Sequence, residues 1–279
     1  MNYISFEIRE NIKVKRFLDK NGFSKRAITD ILSEGYEIDG IKTSKNQELK
    51  TGDVLSIIIN DENLDYDPIK GDLKIMYEDE HILVVDKDYN LTVNSKGQIS
   101  LANYISYYFK KNNIKSKIRL INRLDMNTSG LLMVAKNPYA FAYYQNQIEK
   151  NQFSKYYIAV VEGDFNIDEK IQTQISYNDQ RKRYEVSNVG KKAVTYFKTL
   201  SYDENNNISI IEADIRTGKT HQIRSQLSYL NHPIIGDKLY GSNINIDRFL
   251  LHCYKIKFCK FMDGKEICLS SDYNFDQYF

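Results

Sequence analysis

The 279-residue chain reads as an α+β protein in which a small α/β module precedes a larger unit built on a mainly antiparallel, mixed sheet. Three observations predict this. From residue 73 onward, strand-like runs outnumber helical patterns, which favours an antiparallel sheet with few helices over alternating βαβ units. Residues 1–60 instead open on two helical patterns and close on strand patterns. Between the two, residues 61–72 are polar and acidic and contain Pro68, one of only three prolines, as a linker would. The expected units are therefore 1–60, a linker 61–72, and 73–279.

In the module, Val14 to Leu18 and Ala27 to Leu32 carry apolar residues at helical spacing, and Gly35 stops the second helix. Tyr36 to Ile41 and Asp53 to Ile59 are strand candidates, separated by the turn Lys50-Thr51-Gly52-Asp53. The larger unit begins with strands at Leu73 to Tyr77 and His81 to Asp86, a helix from Leu101 to Lys111, a strand Leu131 to Lys136 and a helix Pro138 to Lys150. Strands follow at Lys155 to Gly163, Lys192 to Leu200 and Ile208 to Arg216. A helix is expected over Thr220 to Asn231, then strands near Phe249 to Cys253 and Lys255 to Phe261. The 220–231 helix places Ile223, Leu227 and Leu230 on one side and His221, Arg224, Ser225 and Ser228 on the other, so it should bury one face and offer a polar one. Its start, Gly218-Lys219-Thr220, would present free N–H groups and a lysine to a phosphate.

Composition narrows the function. The formal charge is only +2, so a nucleic-acid surface has to come from local clustering of Lys and Arg. Cys253, Cys259 and Cys268 lack Cys-x-x-Cys spacing and the four histidines are scattered, which argues against a metal site. An odd number of thiols suits a reducing compartment. The first eleven residues lack an apolar signal-peptide core, and no stretch approaches membrane-spanning length. A cytoplasmic monomer without metal or cofactor is expected. Gly218-Lys219-Thr220 is not a P-loop, because the position of the first P-loop glycine is Ala213, inside a predicted strand.

The most informative segment runs Arg119-Leu120-Ile121-Asn122-Arg123-Leu124-Asp125-Met126-Asn127-Thr128-Ser129-Gly130-Leu131-Leu132-Met133-Val134-Ala135. It anchors an acid, Asp125, in a polar turn that leads into an apolar strand. By residue type alone the acid could be hydrogen-bonding its own turn. The order of residues, however, resembles the central motif of the RluA/RluD-type pseudouridine synthases, with Asn122 at that motif's histidine. Arg216-Thr217-Gly218-Lys219-Thr220-His221-Gln222-Ile223-Arg224, with Asn231-His232-Pro233-Ile234-Ile235-Gly236-Asp237 and Tyr240-Gly241, resembles the same family's C-terminal motif, Lys219 replacing an arginine. Lys155-Tyr156-Tyr157-Ile158-Ala159 is similar to its Lys-x-Tyr-x-Ala strand. The segment from His81 to Asn90 resembles its Lys-Pro-x-Gly stretch, but Asp88 and Asn90 replace the proline and glycine, and Asn94 stands at a frequent histidine. The module 1–60 resembles the small RNA-binding domain of ribosomal protein S-four, with Lys13, Lys15, Arg16, Lys20, Lys25 and Arg26 gathered around its helices. The bland reading of those six is a solvated helix face.

The resemblance implies an RNA pseudouridine synthase acting on uridines of structured ribosomal or transfer RNA. The reaction breaks the bond from uracil nitrogen to the anomeric carbon, turns the base over and rejoins it through carbon. No redox change occurs, so no cofactor is implied. A carboxylate must act as nucleophile on the anomeric carbon or as base on the neighbouring ribose proton, and Asp125 is the candidate. Either role requires its charge, which burial penalises unless a cation opposes the effect. Arg224 would supply that cation, and a structural ion pair would be the same contact. Tyr157, on the strand face of Lys155 and Ala159, would stack on the uracil or handle its lost proton, its bland reading being a core aromatic. Arg123 would fill the space of a flipped base, and a surface ion pair is its alternative. His221 is expected to be only a satisfied polar residue. The competing function is a catalytically silent RNA-binding or ribosome-assembly protein on the same fold. A two-carboxylate glycosidase would need a second acid that no motif nominates.

Overall fold

The computed structural model describes residues 2–95 and 97–278. The N-terminal part contains β1 (Asn2–Glu7), β2 (Ile12–Lys13), α1 (Val14–Lys20), α2 (Lys25–Glu34), β3 (Tyr36–Ile38), β4 (Ile41–Thr43), β5 (Glu48–Leu49) and β6 (Val54–Ile59). Ser24 starts α2 by accepting the Ala27 N–H, and Gly35 ends it at φ 96°, a backbone state that costs glycine little. Four strands form the sheet β1-β6-β3-β4, and β2 pairs with β5.

The larger part contains β7 (Lys74–Glu78), β8 (Ile82–Lys87), α3 (Leu101–Lys111), β9 (Arg119–Leu120), β10 (Ser129–Ala135), α4 (Pro138–Glu149), β11 (Ser154–Glu162), β12 (Asp168–Asn178), β13 (Arg183–Ser187), β14 (Lys191–Asp203), β15 (Ile208–Ile215), α5 (Gln222–Tyr229), β16 (Leu251–Cys259) and β17 (Glu266–Ser270). Its sheet runs β13-β12-β14-β15-β11-β16-β10-β8-β7, with β17 on β16 and β9 on β10. The pairings are antiparallel except β10 with β16, which is parallel and mixes the sheet as expected. That parallel contact needs Gly130. At φ 112° it lies so close to β16 that a Cβ would stand 2.4 Å from the Cys253 carbonyl oxygen.

Several expectations are corrected. The hairpin β12–β13 has no counterpart in the sequence reading, because its strands are polar and half-exposed and carry no apolar run. One strand, β16, replaces the two predicted near residues 249–261. Helix α5 is shorter than 220–231 and begins only after His221, whose φ of 55° breaks the helical path. Its polar stripe is not wet: Arg224, Ser225 and Gln226 are buried along with Ile223 and Leu227.

Residues 61–72 form no regular element but are tied to the larger part. The carbonyls of Tyr66 and Asp67 accept from Ser106 and Asn103 of α3, and Asp61 and Glu62 pair with Lys115 and Arg119 at 2.7 and 2.6 Å. The acidic composition that marked a linker thus also supplies its anchors. The Phe23 ring packs on Tyr139 of α4 and on Phe261, so the two parts share apolar contacts. Among the described residues no helix is long and apolar enough to cross a membrane.

Candidate active site

The 125–128 turn closes through the backbone, the Thr128 N–H donating to the Asp125 carbonyl oxygen at 3.1 Å. Among the described residues the Asp125 carboxylate makes no hydrogen bond to its own loop. Its Oδ2 instead accepts from Arg224 Nη1 at 3.0 Å, across 99 residues of chain. Asp125 and Arg224 therefore come together as their proposed roles require, and the self-capping reading of Asp125 has no contact to support it.

Arg224 is the fixed partner. Its Nε donates to Asp237 Oδ2 at 2.7 Å and its Nη2 to Asp237 Oδ1 at 3.0 Å, a bidentate pair. The guanidinium lies between two rings, 4.8 Å from the centre of Tyr240 and 4.3 Å from that of Phe249. Burial works against its charge, yet Asp237 and then Asp125 outweigh it and hold the pKa above the usual arginine value. Arg224 is thus a permanent cation with a fixed direction.

Asp237 is a site residue that sequence reasoning did not single out. It lay inside a quoted motif, but only the fold shows that this buried acid faces Arg224. Gly236 places it there: a Cβ at that glycine would meet the Arg248 carbonyl oxygen at 2.1 Å.

His221 Nδ1 lies 3.0 Å from the Tyr240 hydroxyl, which donates to the Tyr184 carbonyl, and its Nε2 is 3.8 Å from Asp125 Oδ2. Burial pushes its pKa down, against the opposing field of Asp125. It is hydrogen-bonded to Tyr240 and stands beside the carboxylate.

A cavity of about 450 Å³ opens here, lined by Arg123, Asp125, Lys155, Tyr157, Lys219 and Arg224 among others, a volume typical of small-ligand sites. A larger groove of about 1340 Å³ runs beside residues 61–69, but it is lined by acids and holds none of these groups, so the smaller one is the candidate site. Tyr157 is almost fully buried, and burial, reinforced by Cys253 and Asp125, lifts its pKa well above that of a free phenol. At neutral pH it is an uncharged hydroxyl on a ring, suited to stacking and donating and not to serving as an anionic base. Arg123 is exposed at the cavity and has no ion-pair partner among the described residues, so nothing supports its surface-pair alternative.

Lys219 lines the cavity; its own N–H is taken by Gln222 Oε1 at 3.0 Å, while no hydrogen bond occupies the N–H groups of Gly218 and Thr220 among the described residues. Lys13, Lys15, Arg16, Lys20, Lys25 and Arg26 are all exposed around α1 and α2, with Lys20 on Glu10 at 2.5 Å and Arg26 on Asp30 at 3.8 Å. They lie outside the cavity lining and constitute a separate surface.

The departures from the family motifs have physical substitutes. Asn122 is buried, donates to the Leu131 carbonyl at 3.1 Å and accepts the Met133 N–H at 2.8 Å, so its amide pins the loop to β10. Asn90, at a glycine position of the motif, takes φ 58°, a left-handed state that asparagine tolerates. Lys87 is buried and donates to the carbonyls of Asp88, Leu91 and Met126 at 2.7, 2.9 and 2.9 Å, fixing the residue next to Asp125.

Residues 81–229 match the family described as RNA pseudouridylate synthase. The chain is 34% identical over 245 residues to the Bacillus subtilis protein named uncharacterized RNA pseudouridine synthase YhcT, covering 84% of this chain and 80% of that one. It is 33% identical over 200 residues to ribosomal large subunit pseudouridine synthase D of Borreliella burgdorferi, covering 66% and 60%. Among solved structures, human RNA pseudouridylate synthase domain containing 1 aligns with a TM-score of 0.60 at 22% identity, covering 74% of this chain and 93% of that one, a likeness of fold. The chain belongs to the RNA pseudouridylate synthase family.

Proposed function

We propose that the protein isomerises uridines of ribosomal or transfer RNA to pseudouridine, with Asp125 as the reacting carboxylate, Arg224 as its cation and Tyr157 as the ring against the base. The observation that carries this reading is the 3.0 Å pair of Asp125 and Arg224 inside a cavity of nucleobase scale. Asp125 keeps partial access to the cavity, its side chain 29% exposed, while Arg224 is 7% exposed, so the carboxylate is the member of the pair that can meet a substrate. The free guanidinium of Arg123 supports a role in holding a flipped base. The exposed cations of α1 and α2 support RNA binding by an N-terminal unit of about 1–60, joined through 61–72 to a catalytic unit 73–279. The reading has the protein act as a monomer.

The silent-binder alternative is weakened by Asn122, whose amide pins the Asp125 loop to β10, and by Asn90, which keeps the backbone state that a glycine would supply. Purified Asp125→Asn protein, offered ribosomal and transfer RNA, should retain fold and RNA binding and lose uridine isomerisation. Residual turnover within about tenfold of wild type, about 1.4 kcal/mol of barrier, would refute the assignment of Asp125.

A further inference from the structure

Lys155 lines the cavity and has not yet been given a role. It stands on β11 two residues before Tyr157, and the alternation of the strand turns both side chains to the cavity that holds Asp125. The residue is only 8% exposed. Among the described residues its Nζ has neither a carboxylate within ion-pair distance nor a hydrogen-bond acceptor. It comes within 3.5 Å of where a Cβ on Gly218 would stand, so the glycine leaves the ammonium room without offering it a partner. Burial lowers its pKa accordingly. Buried amines are almost always paired, because an uncompensated charge in a low-dielectric site is costly. Lys87 demonstrates the ordinary solution in the same molecule, with three carbonyl acceptors.

We propose that Lys155 contacts the uracil, donating a hydrogen bond to one of its carbonyl oxygens and stabilising the negative charge that the base acquires during the reaction. The inference rests on the reading of Asp125 given above. Whether Asp125 attacks the anomeric carbon or removes the neighbouring ribose proton, the bond from N1 to that carbon breaks with its electron pair going to the base. The resulting anion spreads its charge over N1, O2 and O4. Carbon C5 of the turned base then bonds to the anomeric carbon as the ester bond to Asp125 breaks or, on the other route, as the ribose carbon regains its proton from Asp125. C5 loses its proton and N1 gains one, so the carboxylate is restored and the product is an isomer of the substrate. A donor aimed at O2 or O4 is worth more to the anion than to the neutral uridine, and that difference lowers the barrier. Lys155 and Asp125 both face the cavity without pairing, as a donor for the base and a carboxylate for the sugar would.

The test uses a short synthetic RNA containing a uridine that the wild-type enzyme modifies, and two versions with 2-thiouridine or 4-thiouridine in its place. Sulfur accepts hydrogen bonds poorly, so each version weakens one carbonyl contact. Lys155→Met should slow single-turnover isomerisation of the uridine RNA by about tenfold or more. One of the thio RNAs should slow the wild type but should not slow Lys155→Met further. Melting temperature should not fall, since methionine removes a buried amine without a partner, whereas replacement of a structural lysine would lower it. Should the Met variant fail to fold, Lys155→Ala, which also removes the donor, takes its place in the same cycle. Losses that multiply for both thio RNAs, or an undiminished rate in Lys155→Met, would overturn the proposal while leaving Asp125 untouched. A wild-type enzyme that isomerises no uridine would overturn the reading on which it rests.

Discussion

Two buried basic side chains face one cavity and are treated in opposite ways. Arg224 is wired to Asp237 and Asp125 and held between two aromatic rings, whereas Lys155 has no polar partner among the described residues. The difference teaches how to separate scaffold from substrate contact. A cation whose donors and faces are already occupied by the protein serves to hold a neighbour in place, here Asp125. A buried amine that lines the cavity with its donors unused points to an acceptor that the chain does not itself provide.

The sharpest way to break the contrast is to cut the wiring of Arg224. Asp237→Leu removes its bidentate partner and leaves a buried guanidinium with Asp125 alone, which should cost about 3–5 kcal/mol in denaturant unfolding. The activity of the surviving folded protein should also fall, because Arg224 no longer points in one direction. A loss below about 1 kcal/mol would mean the pair is not buried in the sense argued.

A smaller effect should come from the polar chain behind the Asp125 loop. Ser129 Oγ lies 2.8 Å from His252 Nδ1, and His252 Nε2 is 2.9 Å from Ser271 Oγ. Burial pushes the His252 pKa down to about 4, with Arg248 and Lys74 adding to the shift, against about 6.5 in an unfolded chain. Between these values the unfolded chain binds a proton that the native state does not. The contribution of neutral His252 is therefore complete above about pH 6.5 and is lost as pH falls toward about 4, roughly 2 kcal/mol by pH 5. Unfolding free energies of wild type and His252→Gln should diverge in pH slope over that window; parallel slopes would show that His252 does not titrate as argued.

The surface cations lie at the far end of the comparison. Replacing Lys15, Arg16 and Lys25 together by alanine should change stability by no more than about 0.5 kcal/mol. RNA affinity should drop, and the slope of log affinity against log salt should flatten by about 0.7–0.9 for each phosphate that the protein no longer neutralises. Substitution is preferable to removal of residues 1–60, because Phe23 packs on Tyr139 and Phe261 of the larger part. An unchanged slope would reduce these residues to a solvated face.

The legible parts of the site were those whose order in the chain is distinctive. Asp125, Tyr157 and Arg224 each sit in a segment readable by residue order, and periodicity located α3 to the residue. The hairpin β12–β13 was not legible, since an exposed, polar pair of strands leaves no apolar alternation. Asp237 and Lys155 were visible as letters, but their roles depend on which side chains meet across the sheet. A pairing of Arg224 with an acid 13 residues on, or the lack, among the described residues, of an acid within ion-pair distance of Lys155, is a property of the fold and not of local spacing. Asn90 teaches the reverse lesson. It reads as a departure from the motif, yet the backbone state that a glycine would supply is kept.

The central claim is that this chain makes pseudouridine with Asp125. Pseudouridines should be mapped across ribosomal and transfer RNA from cells that carry the gene, lack it, or carry only the Asp125→Asn form. The expected result is one or more sites that vanish without the gene, return with the wild-type gene, and stay absent with Asp125→Asn. Identical maps in all three, or sites restored by the asparagine form, would contradict it.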